Sequence, residues 1–275
     1  MNYRYLIYVL LLSCLALSFA AKPITKSTSK LPSYCPTPLI LAYYGDWYPY
    51  MFELNERYLG SDWQLLWEIT TELGCKMRVK KIPEKRAHQV LMKNEPIVMI
   101  GATYTERRAK YAHFSSAYRE ETMSIFYLHS PSTISRDTSL FNRAEHIVSS
   151  AHFIVINDMA WYGDTIQTLR NSKLSKKFHH VTGLDNRVEM LARDRADTLV
   201  EDHYAGCDAI YRHANIDKEK VKILKVNRSP VSYMFSRHLV TPEFIHRFNQ
   251  LLMKKLEQGV YQRLVNRYVP TDCAE

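Results

Sequence analysis

Up to about residue 102, the hydrophobic and polar positions alternate between the pattern of a strand and the pattern of a helix. Mostly apolar runs predict strands at residues 38–44, 76–82 and 97–102. A short helix is predicted at residues 86–92, and a longer one lies between the first two strands. The longer helix is marked by apolar side chains at helical spacing and a glycine after them: Trp63, Leu66, Trp67, Thr70, Leu73 and Gly74. This β-α-β-α-β series predicts a parallel sheet with helices packed on it.

From about residue 123 onwards, the chain repeats this alternation and then ends in helices. Thr241 and Pro242 begin a helix that Gly259 ends, and a last helix follows over residues 261–268. Two α/β units of about 100 residues each fit two lobes better than one continuous sheet. The predicted class is therefore α/β, with each lobe a mainly parallel sheet flanked by helices. The remaining predicted elements are strands at 123–128, 153–156, 198–200, 222–226 and 231–235, and helices at 165–174 and 186–193.

The N-terminus has the pattern of a cleaved secretory signal peptide over residues 1–20. Arg4 precedes an uncharged, mostly aliphatic run, and small side chains at Ser18 and Ala20 precede a cut after Ala20. A single membrane anchor is one alternative, but the run is shorter than the roughly 20 residues that span a bilayer. A lipoprotein signal at Cys14 is a weaker alternative, because more apolar residues follow that cysteine. We therefore expect export to the periplasm, with a polar, Pro-rich segment at 21–37 before the first strand.

Composition and charge exclude several classes of protein. The chain has 275 residues, 46% of them hydrophobic, which is enough apolar material for a core and excludes intrinsic disorder. Its 37 basic and 28 acidic side chains give a net charge of +9. The basic residues are scattered and alternate with apolar ones, as at residues 76–81, so we expect no nucleic-acid partner. The charge instead indicates a solvated surface with a bias towards small anionic molecules.

A series of short motifs resembles one family of bacterial binding proteins. Residues 101–108 (GATYTERR), followed by 111–115 (YAHFS) and Tyr118, resemble the "GAT-x-T-P-E-R … Y-A-x-F-S-x-P-Y" stretch of the bacterial extracellular solute-binding proteins, family 3. Further matches keep the family's order, so that the resemblance runs from about residue 38 to residue 268. These matches lie at residues 45–50, 73–75, 197–202 and 256–259.

The resemblance implies a two-lobed periplasmic-binding-protein fold, the venus flytrap, in which two strands cross the hinge. Lobe 1 would comprise residues 31–120 and 233–275, and lobe 2 would comprise residues 121–232. The implied function is capture of a small polar solute between the lobes, either an amino acid or a related zwitterionic or anionic compound. The resemblance further implies a monomer that delivers this solute to the permease of an ABC transporter, without a cofactor or a metal.

The family's binding residues can be carried over to several positions in the first lobe. Arg108 matches the arginine that binds the solute's carboxylate, since a guanidinium can hold a carboxylate with two parallel hydrogen bonds; a surface arginine is the alternative. Thr103 and Thr105 belong to the same strand-to-helix turn, where an anion is favoured, although Thr105 could serve only as a helix N-cap. Trp47 matches the aromatic lid position, with packing onto its own lobe as the alternative.

Other positions are implied less specifically. Arg86 matches an arginine that faces the cleft in one branch of the family, and a solvated helix charge is the alternative. In lobe 2, Trp161 and Tyr162 belong to a predicted helix start at which the family binds a carboxylate through backbone amides. Asp202 matches the acid that binds the solute's amine. Asp202 could equally be a helix N-cap, and Glu201 beside it could take its role.

Four cysteines follow the signal segment, and their spacing matches no zinc site. An even number of cysteines in an oxidising compartment predicts disulfides, but four cysteines allow three pairings. Parallel pairing of the first two predicted strands would place Cys35 beside Cys75. Related flytrap receptors imply that the remaining bridge joins Cys207 to Cys273 in the C-terminal tail.

Departures from the family's motifs leave the solute and the activity open. Glu106 replaces the family's proline, and Met159 replaces the glycine before the lobe 2 helix, which puts a tight backbone approach to a carboxylate in doubt. Two arginines and the positive net charge leave room for a more anionic solute. No catalytic motif is present, so we expect no enzyme. The alternatives are a stand-alone sensor on the same lobes and, less favoured, a dehydratase-like enzyme.

Overall fold

The computed structural model describes Cys35, residues 38–93, Glu95, residues 97–128, residues 139–269 and Cys273. The predicted signal peptide and, apart from Cys35, the polar segment at 21–37 lie outside the described residues. Among the helices of the described part, none is long and apolar enough to cross a membrane.

Strands and helices alternate along the described chain, as the hydrophobic patterns predict. The strands are β1 (Leu39–Tyr43), β2 (Phe52–Leu54), β3 (Arg57–Leu59), β4 (Met77–Lys81), β5 (Ile97–Thr103), β6 (Ala112–Phe114), β7 (Arg119–Tyr127), β8 (Ile154–Ile156), β9 (Phe178–His180), β10 (Thr198–Asp202) and β11 (Lys222–Ser236). The α-helices are α1 (Ser61–Glu72), α2 (Glu84–Met92), α3 (Glu106–Ala109), α4 (Leu140–Ser150), α5 (Asp164–Arg170), α6 (Leu184–Ala192), α7 (His203–Arg212), α8 (Pro242–Glu257) and α9 (Val260–Tyr268).

The long strands β7 and β11 form the centre of a nine-stranded sheet with the order β4-β1-β5-β11-β7-β10-β8-β9, and β6 also pairs with β11. On both sides the outer strands pair in parallel, as β4-β1-β5 and as β10-β8-β9. The pairs that involve β7 or β11 are antiparallel. Parallel neighbours need long crossover connections, which the helices supply. The predicted α/β class is thus confirmed, although β7 and β11 join the parallel parts into one sheet.

Buried side chains form four clusters that fall into two groups along the chain. Two clusters draw on residues 35–118 and 231–265, which we call the first half. The other two draw on residues 123–226 and Cys273, which we call the second half. The short pieces of β7 and β11 between the halves are residues 119–122 and 227–230, which we call the crossing residues. This grouping resembles the predicted lobes, whose boundaries stay a prediction.

The fold differs from the prediction in two ways, because two predicted strands are one strand and six elements lie where none is predicted, namely β2, β3, β6, α4, β9 and α7. The strands predicted at 222–226 and 231–235 are a single strand, because the residues between them continue to pair with β7. Helix α7 was left unassigned by the hydrophobic pattern. Small residues such as Ala205, Gly206 and Ala209 form much of its buried face, so its apolar signal is weak.

Both predicted disulfides are present. Cys35 and Cys75 are bridged with their Cα atoms 5.2 Å apart. This bridge follows from the parallel pairing of β1 with β4, which sets Leu39 opposite Met77 and brings the preceding residues side by side. Cys207 and Cys273 form the second bridge, with a Cα separation of 5.9 Å.

Candidate functional site

A cavity of about 490 Å³ lies where the parallel strands of both halves end. Its walls come from the loops after β1, β4 and β5 in the first half and after β8 and β9 in the second half. The crossing strand β7 and the end of β10 complete the lining. Ligands of α/β proteins bind at the carboxyl ends of parallel strands, and ligand cavities commonly measure about 300–1,000 Å³. This cavity is therefore the candidate binding site.

Arg108 lines the cavity and connects its two sides. Its guanidinium Nη1 donates to the carbonyl oxygen of Thr103 at 2.9 Å, and Nη2 donates to the carbonyl oxygen of Met159 at 2.9 Å. Thr103 lies on β5 in the first half, whereas Met159 lies in the loop after β8 in the second half. These bonds hold the guanidinium in place and use two of its five N–H donors.

Trp47 forms an aromatic wall against the backbone of Gly101. Gly101 has a φ of +60°, and a Cβ atom built on it would overlap the Trp47 ring. The ring also contacts Tyr50, with the ring centroids 4.6 Å apart. Only a glycine combines this left-handed backbone with such close approach of an aromatic ring.

The cavity lining brings together four of the residues that the sequence indicated, namely Trp47, Thr103, Arg108 and Trp161. The other four lie elsewhere. Thr105 is the N-cap of α3, where its hydroxyl accepts a hydrogen bond from the Arg108 amide at 3.2 Å. Arg86 is exposed on α2 and is not among the residues that line the cavity, which favours the alternative of a solvated helix charge.

Tyr162 and Asp202 are buried, and their polar groups form hydrogen bonds within the protein. Tyr162 is 1% exposed, and its hydroxyl accepts a hydrogen bond from the Asn157 amide at 2.6 Å. Asp202 is fully buried as the N-cap of α7, where it accepts from the Ala205 amide at 2.9 Å and from the Tyr50 hydroxyl at 3.1 Å. Neither side chain is among the residues that line the cavity, and the solute-binding roles that the resemblance implies for them stay predictions.

Arg187 and Glu201 form a buried ion pair on the second-half wall. Nη2 of Arg187 donates to Oε2 of Glu201, and Nη1 donates to the carbonyl oxygen of Val181 at 2.9 Å. The other carboxylate oxygen of Glu201 accepts from the Asp202 amide at 3.1 Å. Sequence reasoning missed Arg187, because an arginine on a helix usually faces solvent, whereas Arg187 is buried on α6 beside Val188.

Polar contacts also join the two halves beside Arg108. The Asn157 amide Nδ2 donates to Oε2 of Glu84 at 2.6 Å, and Lys85 Nζ lies 3.4 Å from Oδ2 of Asp158. Burial raises the pKa of Glu84 above its ordinary value, although the hydrogen bond from Asn157 opposes this. The first turn of α2 is thereby attached to the loop after β8.

Arg119 lies behind the cavity wall, where an ion pair and two aromatic rings fix it. Its Nε donates to Oδ2 of the fully buried Asp62 at 3.1 Å. The guanidinium carbon lies 3.7 Å from the ring centroid of Tyr50 and 5.3 Å from that of Trp47. Within the described residues, the buried Nη2 of Arg119 has no hydrogen-bond partner.

Glu121 lines the cavity two residues further along β7, on the same face of the strand as Arg119. Its side chain is 4% exposed, and its Oε1 lies 3.8 Å from Nη2 of Arg119. The carboxyl group makes no hydrogen bond to any other residue that the structure describes. Burial raises the pKa of Glu121 well above its ordinary value, while Arg119 acts in the opposite direction.

Acidic side chains outnumber basic ones in the described lining. Among the described residues, no group of three or more His, Cys, Asp or Glu side chains is arranged to hold a metal ion. The acidic lining residues are Asp46, Glu84, Glu121, Asp158, Asp185 and Glu201, and the basic ones are Lys85, Arg108 and Arg187.

The chain is similar to one protein family and to several solved structures. The model of the bacterial extracellular solute-binding proteins, family 3, matches residues 39–271. An ancestral arginine-binding protein bound to arginine has a TM-score of 0.70 and 19% identity, with 85% of this chain and 98% of that chain covered. Comparison with curated protein sequences finds no match.

Two further structures are similar at comparable identity. A histidine kinase sensor domain with similarity to periplasmic binding proteins has a TM-score of 0.68 and 16% identity, with 84% of this chain and 96% of that chain covered. An ancestral amino-acid-binding protein, described as a precursor of cyclohexadienyl dehydratase, has a TM-score of 0.65 and 20% identity, with coverage of 85% and 95%. At these identities the likeness shows the fold.

Proposed function

Since the chain belongs to the bacterial extracellular solute-binding proteins, family 3, we propose that it captures a small polar solute in the cavity between its two halves. The observation that carries this proposal is the cavity of about 490 Å³ at the carboxyl ends of both sets of parallel strands, with Arg108 in its wall. Three N–H donors of Arg108 remain beyond the two that bind carbonyl oxygens, enough to hold a carboxylate.

We propose a zwitterionic solute, an amino acid or a close relative of one. The acidic excess in the lining supports a solute that carries an ammonium group, because buried carboxyl groups are stabilised by a nearby positive charge. This charge balance favours the zwitterionic end of the range expected from the sequence over the anionic end. The likeness to an arginine-binding protein supports the same solute class.

The two halves would act as lobes, with residues 31–120 and 233–275 in lobe 1 and residues 121–232 in lobe 2. The grouping of the buried clusters supports this division, except that Val231 packs with the first half and Cys273 with the second half. Closure on the solute follows because both lobes contact it only in the closed state, which gives the differential affinity that a population shift requires.

The protein would work in the periplasm after export and pass its solute to an ABC permease. Service as a sensor is the second candidate, and the likeness to a histidine kinase sensor domain supports it. We propose binding without turnover, so mass spectrometry of incubated solutes should find them unchanged. Loss or conversion of a bound solute would instead favour a dehydratase-like activity.

The mature protein should bind at least one of the standard L-amino acids, and Arg108→Ala should remove most of this binding. Losing one partner of a buried, charged hydrogen-bonded pair costs about 2–5 kcal/mol of binding. A thermal-shift screen identifies the solutes, because a ligand at 100 times its Kd adds about 2.7 kcal/mol of stability. Isothermal titration then measures the affinity of the wild type and the variant.

Arg86→Ala is the matched control for Arg108→Ala. It removes the same side chain from an exposed position outside the cavity, and it should leave the affinity unchanged. Equal affinities for the wild type and Arg108→Ala would contradict the role of Arg108. If no amino acid stabilised the wild type, the proposed solute class would be wrong.

A further inference from the structure

Both carboxylates that the sequence offered for the solute's ammonium group are already occupied. Glu201 is bound through Oε2 to Arg187 and through Oε1 to the amide of Asp202. Asp202 is fully buried and accepts hydrogen bonds through both of its carboxylate oxygens. An ammonium group could reach either carboxylate only by displacing these partners, so its acceptor must be sought elsewhere in the lining.

Glu121 differs from these two acids because it lines the cavity without a hydrogen bond to any other described residue. Its Oε1 lies 3.8 Å from Nη2 of Arg119, which is beyond hydrogen-bond distance. Arg119 is fixed by Asp62 and by the rings of Tyr50 and Trp47, so it is not free to swing across to Glu121. The lone pairs of Glu121 are therefore available to a solute.

Glu121 and Arg108 line the same cavity from different elements, as two ends of a zwitterion would require. Arg108 follows β5 in the first half and contacts the second half through Met159, whereas Glu121 lies on β7 among the crossing residues. Both side chains line the same cavity. A carboxylate held by Arg108 and an ammonium held by Glu121 would therefore place an amino acid against the strand that joins the halves.

The charges around Glu121 also favour the binding of a positively charged group beside it. Glu201, Asp202 and Asp62 lie near enough to oppose ionisation of Glu121, and Arg119 alone among the principal charges favours it. A positive charge from the solute would relieve this crowding of carboxyl groups. No lysine or arginine of the lining forms an ion pair with Glu121 in the part of the chain that the structure describes.

We propose that Glu121 is the specificity-determining residue that accepts the ammonium group of the solute. This inference rests on the proposed function, since it names the partner of one group of a zwitterionic solute. It moves ammonium recognition from the end of β10, where the resemblance implied it, to the crossing strand β7.

The test compares Glu121→Gln with the wild type by isothermal titration. The probes are the standard L-amino acids that stabilise the wild type and the desamino carboxylic acid of each. The affinity for the amino acids should fall at least about tenfold in Glu121→Gln, because an amide replaces the charged acceptor. The affinity for the desamino acids should change less than about threefold, since they lack the ammonium group. Glu121→Asp keeps the charge and should retain part of the preference for the amino acids.

Glu120→Gln is the matched control, because Glu120 precedes Glu121 on the same strand but is exposed and lies outside the cavity. It should bind both probe sets like the wild type. An unchanged preference for amino acids in Glu121→Gln would overturn the assignment alone. Equal loss of both probe sets would also overturn it, because that result indicates a general structural role. A wild type that bound no probe would overturn the proposed function and the assignment with it.

Discussion

At the scale of single residues, the buried carboxyl group of Glu121 links solute binding to protons. Burial raises the pKa of Glu121 well above its ordinary value in the protein without solute. A bound ammonium group would favour the ionised form and lower this pKa again. The charged and titratable groups around it are Arg119 on the same strand, Glu201 and Asp202 on β10, Asp62 on α1, and the hydroxyls of Tyr44 and Tyr50.

We therefore expect amino-acid binding to release protons and to weaken as the pH falls through the raised pKa of Glu121. The group is protonated below that pKa and must lose its proton before it pairs with an ammonium group, whereas above the pKa the affinity levels off. Titration calorimetry in two buffers with different ionisation enthalpies measures the protons released. The release should be smaller in Glu121→Gln, and an equal release in both proteins would contradict the linkage.

The rest of the site shows what the sequence could and could not predict about single residues. Arg108 and Trp47, which belong to motifs with fixed spacing, both line the cavity, and their roles in solute binding stay predictions. Glu121 was missed because it sits in a polar stretch before the predicted strand at 123–128, whereas β7 begins at Arg119 and its alternation points Glu121 inward. Asp202 is a helix N-cap, which the sequence left open as an alternative, because the same residue type serves as a helix N-cap and as an ammonium acceptor.

At the scale of elements, the end of β5 and the loop after β1 depend on each other through Gly101 and Trp47. A side chain at position 101 would overlap the Trp47 ring and would also require a left-handed backbone. We expect Gly101→Ala to displace Trp47, to destabilise the fold and to weaken amino-acid binding. Thermal unfolding and titration calorimetry measure the two effects.

Gly74→Ala is the control for Gly101→Ala, because it introduces the strain of a positive φ without displacing the Trp47 ring. Gly74 also has a positive φ, +74°, but no atom lies near a Cβ built on it. This control should cost only about 1 kcal/mol of stability and leave the affinity unchanged. If the two variants behaved alike in both measurements, the contact with Trp47 would have no influence on the site.

The burial patterns of the helices and strands explain why the hydrophobic pattern predicts most of these elements but not all of them. Helix α1 buries large apolar side chains at helical spacing, and strands β1 and β5 are nearly continuous runs of buried, mostly apolar residues, so their signal is strong. Helix α7 buries small residues, and the hairpin of β2 and β3 is only partly buried, so neither gives a clear period. The joining of two predicted strands into β11 depends on pairing with β7, which is information from a distant part of the chain.

At the scale of the whole molecule, the hydrogen bond from Asn157 to Glu84 joins the two halves and would stabilise the closed arrangement of the proposed lobes. Asn157→Asp removes the donor and sets two carboxyl groups against each other, at a cost of about 1.5–3 kcal/mol to the closed arrangement. We expect a weaker affinity for amino acids and, by X-ray scattering at neutral pH, a larger radius of gyration than in the wild type.

Asn171→Asp makes the same change at an exposed helix end, outside the cavity, and serves as the control for Asn157→Asp. Its scattering curve and affinity should match those of the wild type. Superimposable curves for Asn157→Asp and the wild type, with and without an amino acid, would show that this bond has no part in closure.

The Cys207–Cys273 bridge adds a covalent route between the halves besides β7 and β11. Helix α9 packs in a first-half cluster, whereas Cys273 belongs to a second-half cluster. Only four residue steps separate Val269 from Cys273, and a chain of that length reaches at most about 14 Å when fully extended. The end of α9 therefore cannot lie more than about 14 Å from Cys273, whatever the separation of the two halves. In the proposed opening of the lobes, the bridge would therefore limit the separation of α9 from the second half. Reduction of the bridge would remove this limit without changing any residue that lines the cavity.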